Sequence, residues 1–141
     1  MKKHLFQFTI AVLLLLLINS CGTTCKMSTK KHLASNPWEM STLKGSAPDA
    51  NEFQTGIPFL LFDKKGKMTG STSCNNMSGS YQLSKSGIEL EPGAITRMAC
   101  QGKGESLFLQ ALKEVKNFKF DGEKLILLNG PDEIMTLIPK K

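Results

Sequence analysis

Histidine and closely paired cysteines are scarce in this 141-residue sequence, and that scarcity limits the chemistry available to it. The two histidines are His4, just before the N-terminal apolar stretch, and His32. No cysteines show the CxxC spacing common in zinc sites, and no serine has the GxSxG setting of a hydrolase nucleophile. Because no histidine follows position 32, a histidine-activated thiolate is also disfavoured. We therefore expect no metal, no cofactor and no catalytic residue.

A long hydrophobic run is also missing. The most apolar stretch, residues 5–18, is shorter than the roughly 20 residues that a membrane-spanning helix needs. It follows two lysines, Lys2 and Lys3, and residues 10–18 have no polar face that a buried helix would keep. A basic start followed by a short apolar run is typical of a secretory signal peptide, which we place at residues 1–20.

The end of this segment carries a lipidation signal. The run Ile18-Asn19-Ser20-Cys21 resembles a bacterial lipobox, in which the final cysteine thiol receives diacylglycerol. Cleavage before Cys21 would free an amine for further acylation, and two or more acyl chains anchor a protein stably. Since Gly22 rather than aspartate follows, the resemblance implies an outer-membrane lipoprotein.

The charge of the remaining chain is mild. Without Lys2 and Lys3, sixteen basic side chains face twelve acidic ones, a net charge of +4. The basic residues are dispersed and the protein is expected to be exported, so nucleic acid is not an expected partner. Residues 21–36 are polar and without periodicity, which predicts a flexible tether that leads to a folded domain over residues 37–141.

The pattern within that domain predicts an α+β fold. Trp38 and Met40 share one face of a strand, and Ile88 and Leu90 alternate with two glutamates that should face water. One helix is predicted over residues 105–117, buried through Leu107, Phe108, Ala111, Leu112 and Val115. Asp121-Gly122 between two β-like runs predicts a hairpin. Short turns favour antiparallel pairing, so we expect one compact antiparallel sheet or open barrel with a main helix packed against it.

The role of Cys74, in the polar stretch STSCNNMSGSY, has several interpretations. Zinc binding and catalysis are disfavoured by the missing ligands and base. A disulfide needs only a second cysteine within reach, and Cys100 lies in the same domain of an exported protein. Two buried free thiols remain the alternative. Cys25 lies in the predicted tether and is left over.

Two motifs carry a family resemblance. GSTSCNNMSGSY at 70–81 and TRMAC at 96–100 resemble the signature of the META domain, which includes heat-shock lipoproteins of the HslJ type. The resemblance covers residues 37–140 and departs from the family at Ser73, commonly glycine, and at Met77, commonly aromatic. It implies a compact antiparallel β domain with a helix, and this domain would face the periplasm rather than the cell surface. It also implies links to heat shock and novobiocin tolerance, without a known reaction. The motif residues beside the cysteines are Asn75, Ser78, Gly79, Thr96, Arg97 and Met98.

Two of these motif residues invite functional interpretations. Arg97 could anchor an anionic ligand, but a structural ion pair or a solvent-facing arginine on a strand is the favoured explanation. Asn75 and Asn76 could form an oxyanion hole, whereas asparagines in Ser/Gly-rich stretches commonly hydrogen-bond their own backbone in turns.

Three function classes follow from these observations. The first is a non-enzymatic binding or scaffolding module of the cell envelope, with an envelope-stress role and an unidentified envelope protein or small ligand as partner. The second is a small lipophile-binding domain with an opening between sheet and helix. The third is an envelope hydrolase that uses Cys74 or carboxylates. The opening of the second class would be lined by Phe59, Phe62, Phe108 and Phe118.

Overall fold

The computed structural model describes residues 28–141. The predicted signal peptide, Cys21, Cys25 and the first part of the predicted tether lie outside these residues. Within the described part of the chain, no helix has both the length and the apolar character needed to cross a membrane. The described residues form two helices and eight strands. The helices are α1 (28–33) and α2 (Gly104–Glu114), and the strands are β1 (Trp38–Leu43), β2 (Phe59–Phe62), β3 (Lys67–Ser71), β4 (Asn76–Leu83), β5 (Ile88–Ile95), β6 (Asn117–Asp121), β7 (Lys124–Asn129) and β8 (Asp132–Pro139).

All eight strands belong to one antiparallel sheet in the order β5-β4-β3-β2-β1-β8-β7-β6. The fold class is therefore α+β, as predicted. The sheet curves without closing into a barrel, and its edge strands approach where the Ile88 N–H donates to the Lys116 carbonyl at 3.0 Å. No further backbone hydrogen bond joins β5 to β6 among residues 28–141, so the rest of β5 keeps a free edge.

Turn chemistry agrees with the sequence at two hairpins. The loop after β2 is closed by the Asp63 carboxylate, which accepts the N–H groups of Lys65 and Lys67, both at 2.8 Å. The Lys67 hydrogen bond holds the pKa of Asp63 below its ordinary value. The predicted Asp121-Gly122 hairpin is present, with Asp121 opposite Lys124 and Gly122 at φ 57°. Each hairpin brings neighbouring strands into register.

Helix α2 packs on the sheet through a narrower face than predicted. Gly104, Phe108, Ala111 and Leu112 are buried, but Leu107 is 44% exposed. Successive helical residues lie about 100° apart, so Leu107 and Leu109 fall on opposite flanks of the buried stripe. The assignment of Leu107 to the core was therefore wrong. The helix also ends earlier, because Val115 is extended and the Lys116 N–H joins the sheet at the Leu128 carbonyl.

The folded domain begins before the predicted boundary. Residues 28–33 are helical, and Leu33 is fully buried in the core. The Trp38 indole N–H donates to the Leu33 carbonyl at 2.8 Å, and the His32 ring stacks on Phe120 with centroids 4.0 Å apart. The second part of the predicted tether is thus packed structure. The polar composition hid this segment, because a single buried leucine leaves no periodic signal.

Candidate functional site

The two sequence motifs meet where β4 begins and β5 ends. Cys74 and Cys100 are joined by a disulfide, with Cα atoms 5.9 Å apart. Of the four interpretations of Cys74, the structure therefore contains the crosslink. The bridge ties the start of β4 to the segment that leads from β5 into α2.

Asn75 lies at the centre of this region and is 2% exposed. Its Oδ1 accepts the Met98 N–H and the Thr96 hydroxyl, both at 2.8 Å. Its Nδ2 donates to the Met98 carbonyl at 3.3 Å and to Glu105 Oε2 at 3.1 Å. The carboxamide thus exchanges two hydrogen bonds with Met98, as the backbone of a neighbouring strand would. It extends the β4–β5 ladder beyond the last regular pair, so an oxyanion-hole role for Asn75 is not supported.

Thr72 and Glu105 complete this cluster, and the sequence analysis missed both. Thr72 is fully buried, and its hydroxyl donates to Glu105 Oε1 and accepts the Asn75 N–H at 3.2 Å. Glu105 stands in the first turn of α2, where the helix dipole favours a negative charge. A threonine held by a carboxylate resembles an activated nucleophile, but full burial of Thr72 keeps substrates away from its oxygen. The only sequence signal for Glu105 was its position in the first helical turn.

The remaining motif residues divide between packing and exposure. Gly79 faces a bulge between β4 and β5, where a Cβ atom would lie 2.0 Å from the Glu91 carbonyl oxygen, so only glycine fits. Ser78 is exposed on β4. Arg97 is exposed, and none of the described residues forms an ion pair or hydrogen bond with it. A structural ion pair therefore does not explain Arg97.

The two departures from the family pattern have separate structural settings. Ser73 has φ 97°, a conformation that favours glycine, so the commonly found glycine suits this backbone better than serine. Met77 is 3% exposed and belongs to the core. An aromatic side chain at position 77 would therefore serve packing rather than contact a ligand.

Beside this cluster runs an open groove of about 850 Å³. Residues 93–100, the end of β5 and the segment after it, form one wall. Glu105, Ser106 and Leu109, on one flank of α2, form the other, and Asn75 contributes to the lining. The volume lies within the range of about 300–1,000 Å³ that is typical of ligand sites.

The four phenylalanines proposed for a lipophile opening do not line this groove. Phe108 is fully buried and Phe62 is 5% exposed, packed edge-on against Tyr81. Phe59 lies under the Lys140 ammonium at 3.9 Å, and Phe118 packs against Phe120. They fill the core and its margin instead of sharing one opening.

The described residues contain no cluster of three His, Cys, Asp or Glu side chains able to hold a metal.

The model of the META domain family matches residues 31–141. The chain belongs to the META domain family. Among solved structures, a DUF4847 family protein from Bacteroides vulgatus has a similar fold: 18% identity, TM-score 0.63, with 80% of this chain and 98% of that one covered. An NMR structure of a protein from Burkholderia xenovorans is similar over 81% of this META domain chain and 88% of its own, with 20% identity and TM-score 0.61. No curated protein sequence matches.

Proposed function

We propose that this META domain protein is a non-enzymatic binding module, and that the groove between residues 93–100 and α2 is its binding site. The observation that carries the proposal is the contrast between the groove and the adjacent cluster. Thr72, Asn75 and Glu105 use their polar atoms on one another and on the backbone. Arg97, on the groove wall, has no partner in the described chain. Arg97 is therefore available to a ligand in the groove, whereas the polar atoms of Thr72, Asn75 and Glu105 are occupied by hydrogen bonds within the domain.

The proposed location is the cell envelope, with a lipid on Cys21 that anchors the protein in the outer membrane on its periplasmic side. The lipobox resemblance supports this placement, and an HslJ-type role in envelope stress accords with it. Since folded structure is present from residue 28, only seven residue steps separate Cys21 from it. Such a link reaches at most about 25 Å, so the folded domain would be held close to the membrane surface.

Site-specific photo-crosslinking in intact cells tests the binding proposal. A photoreactive amino acid that replaces Ser106 would lie in the groove. The same photoreactive amino acid in place of Leu107 is the control, because position 107 is exposed but lies outside the groove, on the other flank of α2. We expect a discrete adduct from position 106 and none from position 107. Identical adducts at both positions, or none at 106, would contradict a binding role for the groove.

Cell fractionation tests the anchor separately. Cys21→Ser should leave the precursor uncleaved or release the mature protein from the membrane fraction. A mature Cys21→Ser protein that still sediments with membranes would refute the lipid anchor without touching the binding proposal.

A further inference from the structure

We propose that the groove binds an extended peptide segment, which pairs by backbone hydrogen bonds with the free edge of residues 93–97 and places a carboxylate against Arg97. This inference rests on the proposed binding role of the groove and names its ligand class. Addition of a strand to an exposed sheet edge is a general mode of peptide recognition, in which backbone pairing supplies affinity and side-chain contacts supply selectivity.

The direction of the backbone shows which groups are free. The Thr96 N–H donates to the Asn76 carbonyl at 3.0 Å, and the Met98 N–H donates to Asn75 Oδ1 at 2.8 Å. Both point toward β4, and their spacing of two residues is that of an extended strand. The intervening Arg97 must therefore present its N–H and carbonyl to the opposite side, and so must Ile95. The Arg97 backbone has no hydrogen-bond partner among residues 28–141.

The edge of β5 is protected along only part of its length. In its first part, the Ile88 N–H is already bonded to the Lys116 carbonyl, and Pro92 has no N–H that could pair with another strand. The segment 93–96 reads Gly-Ala-Ile-Thr, without a charged side chain or a proline. Proteins usually shield such edges, since exposed ones recruit other strands. Here the unshielded part coincides with the groove.

The second wall of the groove supplies the contacts that a bound strand needs beside its backbone. Leu109 is half-buried on the flank of α2, and Met98 is 58% exposed. The two oxygens of the Glu105 carboxylate accept from Thr72 and Asn75, so this side chain is directed toward buried partners. Arg97 is the one charged side chain on the 93–100 wall and has no ion-pair or hydrogen-bond partner among residues 28–141. Charge complementarity therefore selects an acidic side chain on the peptide. A second copy of this chain fits less well, because its own β5 edge is recessed beside its own helix.

Peptide titration followed by NMR tests the pairing. The probe is an acetylated and amidated pentapeptide, Thr-Val-Asp-Val-Thr, added to the ¹⁵N-labelled full chain in its oxidised form. We expect shifts at Ile95, Arg97 and Leu109 and slower exchange of the Arg97 amide. N-methylation of one alternating set of peptide nitrogens should abolish these effects, and N-methylation of the other set should preserve them.

Charge exchange tests the role of Arg97. Arg97→Gln should weaken binding of the aspartate peptide about tenfold and leave the affinity for the matching asparagine peptide unchanged, since one ion pair is removed. Strand pairing would be overturned if the shifts survived N-methylation of the first set as well as N-methylation of the second set. Shifts reproduced by acetate alone would also overturn it, as would concentration-dependent dimerisation that explains the same shifts.

The outcomes separate the two proposals. If the peptides fail and the probe at Ser106 still captures a lipid or a glycan in cells, the peptide inference is wrong and the binding role of the groove stands. If position 106 captures nothing in cells, the binding role falls with it.

Discussion

Asn75 shows how a single side chain can replace a length of strand. Its carboxamide pairs with the Met98 backbone and also holds Thr96 and Glu105. Because Asn75 is buried, truncation of its side chain would remove all of these hydrogen bonds at once and leave unfilled space inside the domain. The residue therefore fixes the position of the groove wall through Thr96 and Met98.

Asn75→Ala should lower the free energy of unfolding by about 2–4 kcal/mol, since a buried side chain and its hydrogen bonds to Thr96, Met98 and Glu105 are lost together. Asn76→Ala is the matched control, because the Asn76 side chain is exposed and should contribute within about 0.5 kcal/mol. Urea melts of the two variants measure the difference. Equal losses would show that the Asn75 amide is not the organising group.

Ser73→Gly should stabilise the domain by about 0.5–1 kcal/mol, because glycine adopts the positive φ of 97° without the strain that serine bears. Ser78→Gly is the control. Ser78 lies in β4, outside the positive-φ residues, so glycine there should destabilise by a similar amount. Opposite signs for the two changes are expected in thermal or urea unfolding, and a shared sign would contradict the strain argument.

At the scale of the secondary-structure elements, α2 has two distinct flanks beside its buried stripe. Leu109 faces the groove, and Leu107 is exposed on the other side. Apolar spacing alone could not separate them, because both leucines border the stripe defined by Phe108, Ala111 and Leu112. Only the placement of the helix beside β5 decided which flank became a wall of the groove.

Phe108→Ala should lower stability by about 3–5 kcal/mol, as expected for a fully buried aromatic ring. Leu107→Ala on the exposed flank should change it by no more than about 0.5 kcal/mol. Denaturant unfolding of the two variants measures the loss of stability in each. Similar losses in both variants would refute the orientation of α2.

The β2–β3 turn should give a pH-dependent contribution through Asp63. Its folded-state pKa is lowered, so the carboxylate stabilises the fold above its unfolded pKa and loses this effect as pH falls through the folded value. Asp63→Asn should therefore be less stable than the wild type at neutral pH, with a gap that narrows on acidification. Urea melts across that pH range measure it, and a constant gap would exclude this linkage.

For the molecule as a whole, one long-range strand pairing and one disulfide stabilise the open sheet. The β1–β8 pairing joins the two ends of the domain, with Trp38 opposite Pro139. The Cys74–Cys100 disulfide joins β4 to the segment before α2, close to the free edge of β5. The disulfide therefore stabilises the folded domain and also fixes the position of the groove wall.

Replacing both Cys74 and Cys100 by alanine should lower the free energy of unfolding by about 3.5 kcal/mol, the chain-entropy value for a loop of roughly 27 residues. That is a large share of the roughly 5–15 kcal/mol typical of a domain. Reduction of the wild type with dithiothreitol should give a matching loss. Non-reduced peptide mapping must also show the bridge, and free thiols at both positions would disprove it.

The sequence by itself determined the class of fold and many local elements. Alternation placed Ile88 and Leu90 inside with their glutamates outside, Asp121-Gly122 marked a hairpin, and the motifs around Cys74 and Cys100 indicated the family. These signals arise between residues a few positions apart, so composition and spacing reveal them.

Only the tertiary structure decided the site. It packed Leu33 into the core and brought Glu105 against Thr72 and Asn75 across about thirty residues of chain. It also left Arg97 beside the groove without an ion-pair or hydrogen-bond partner in the described part of the chain. The physical reason is that these contacts depend on the sheet order, which lays the start of β4, the end of β5 and the first turn of α2 side by side. No local pattern in the sequence records which distant segments a folded sheet will make neighbours.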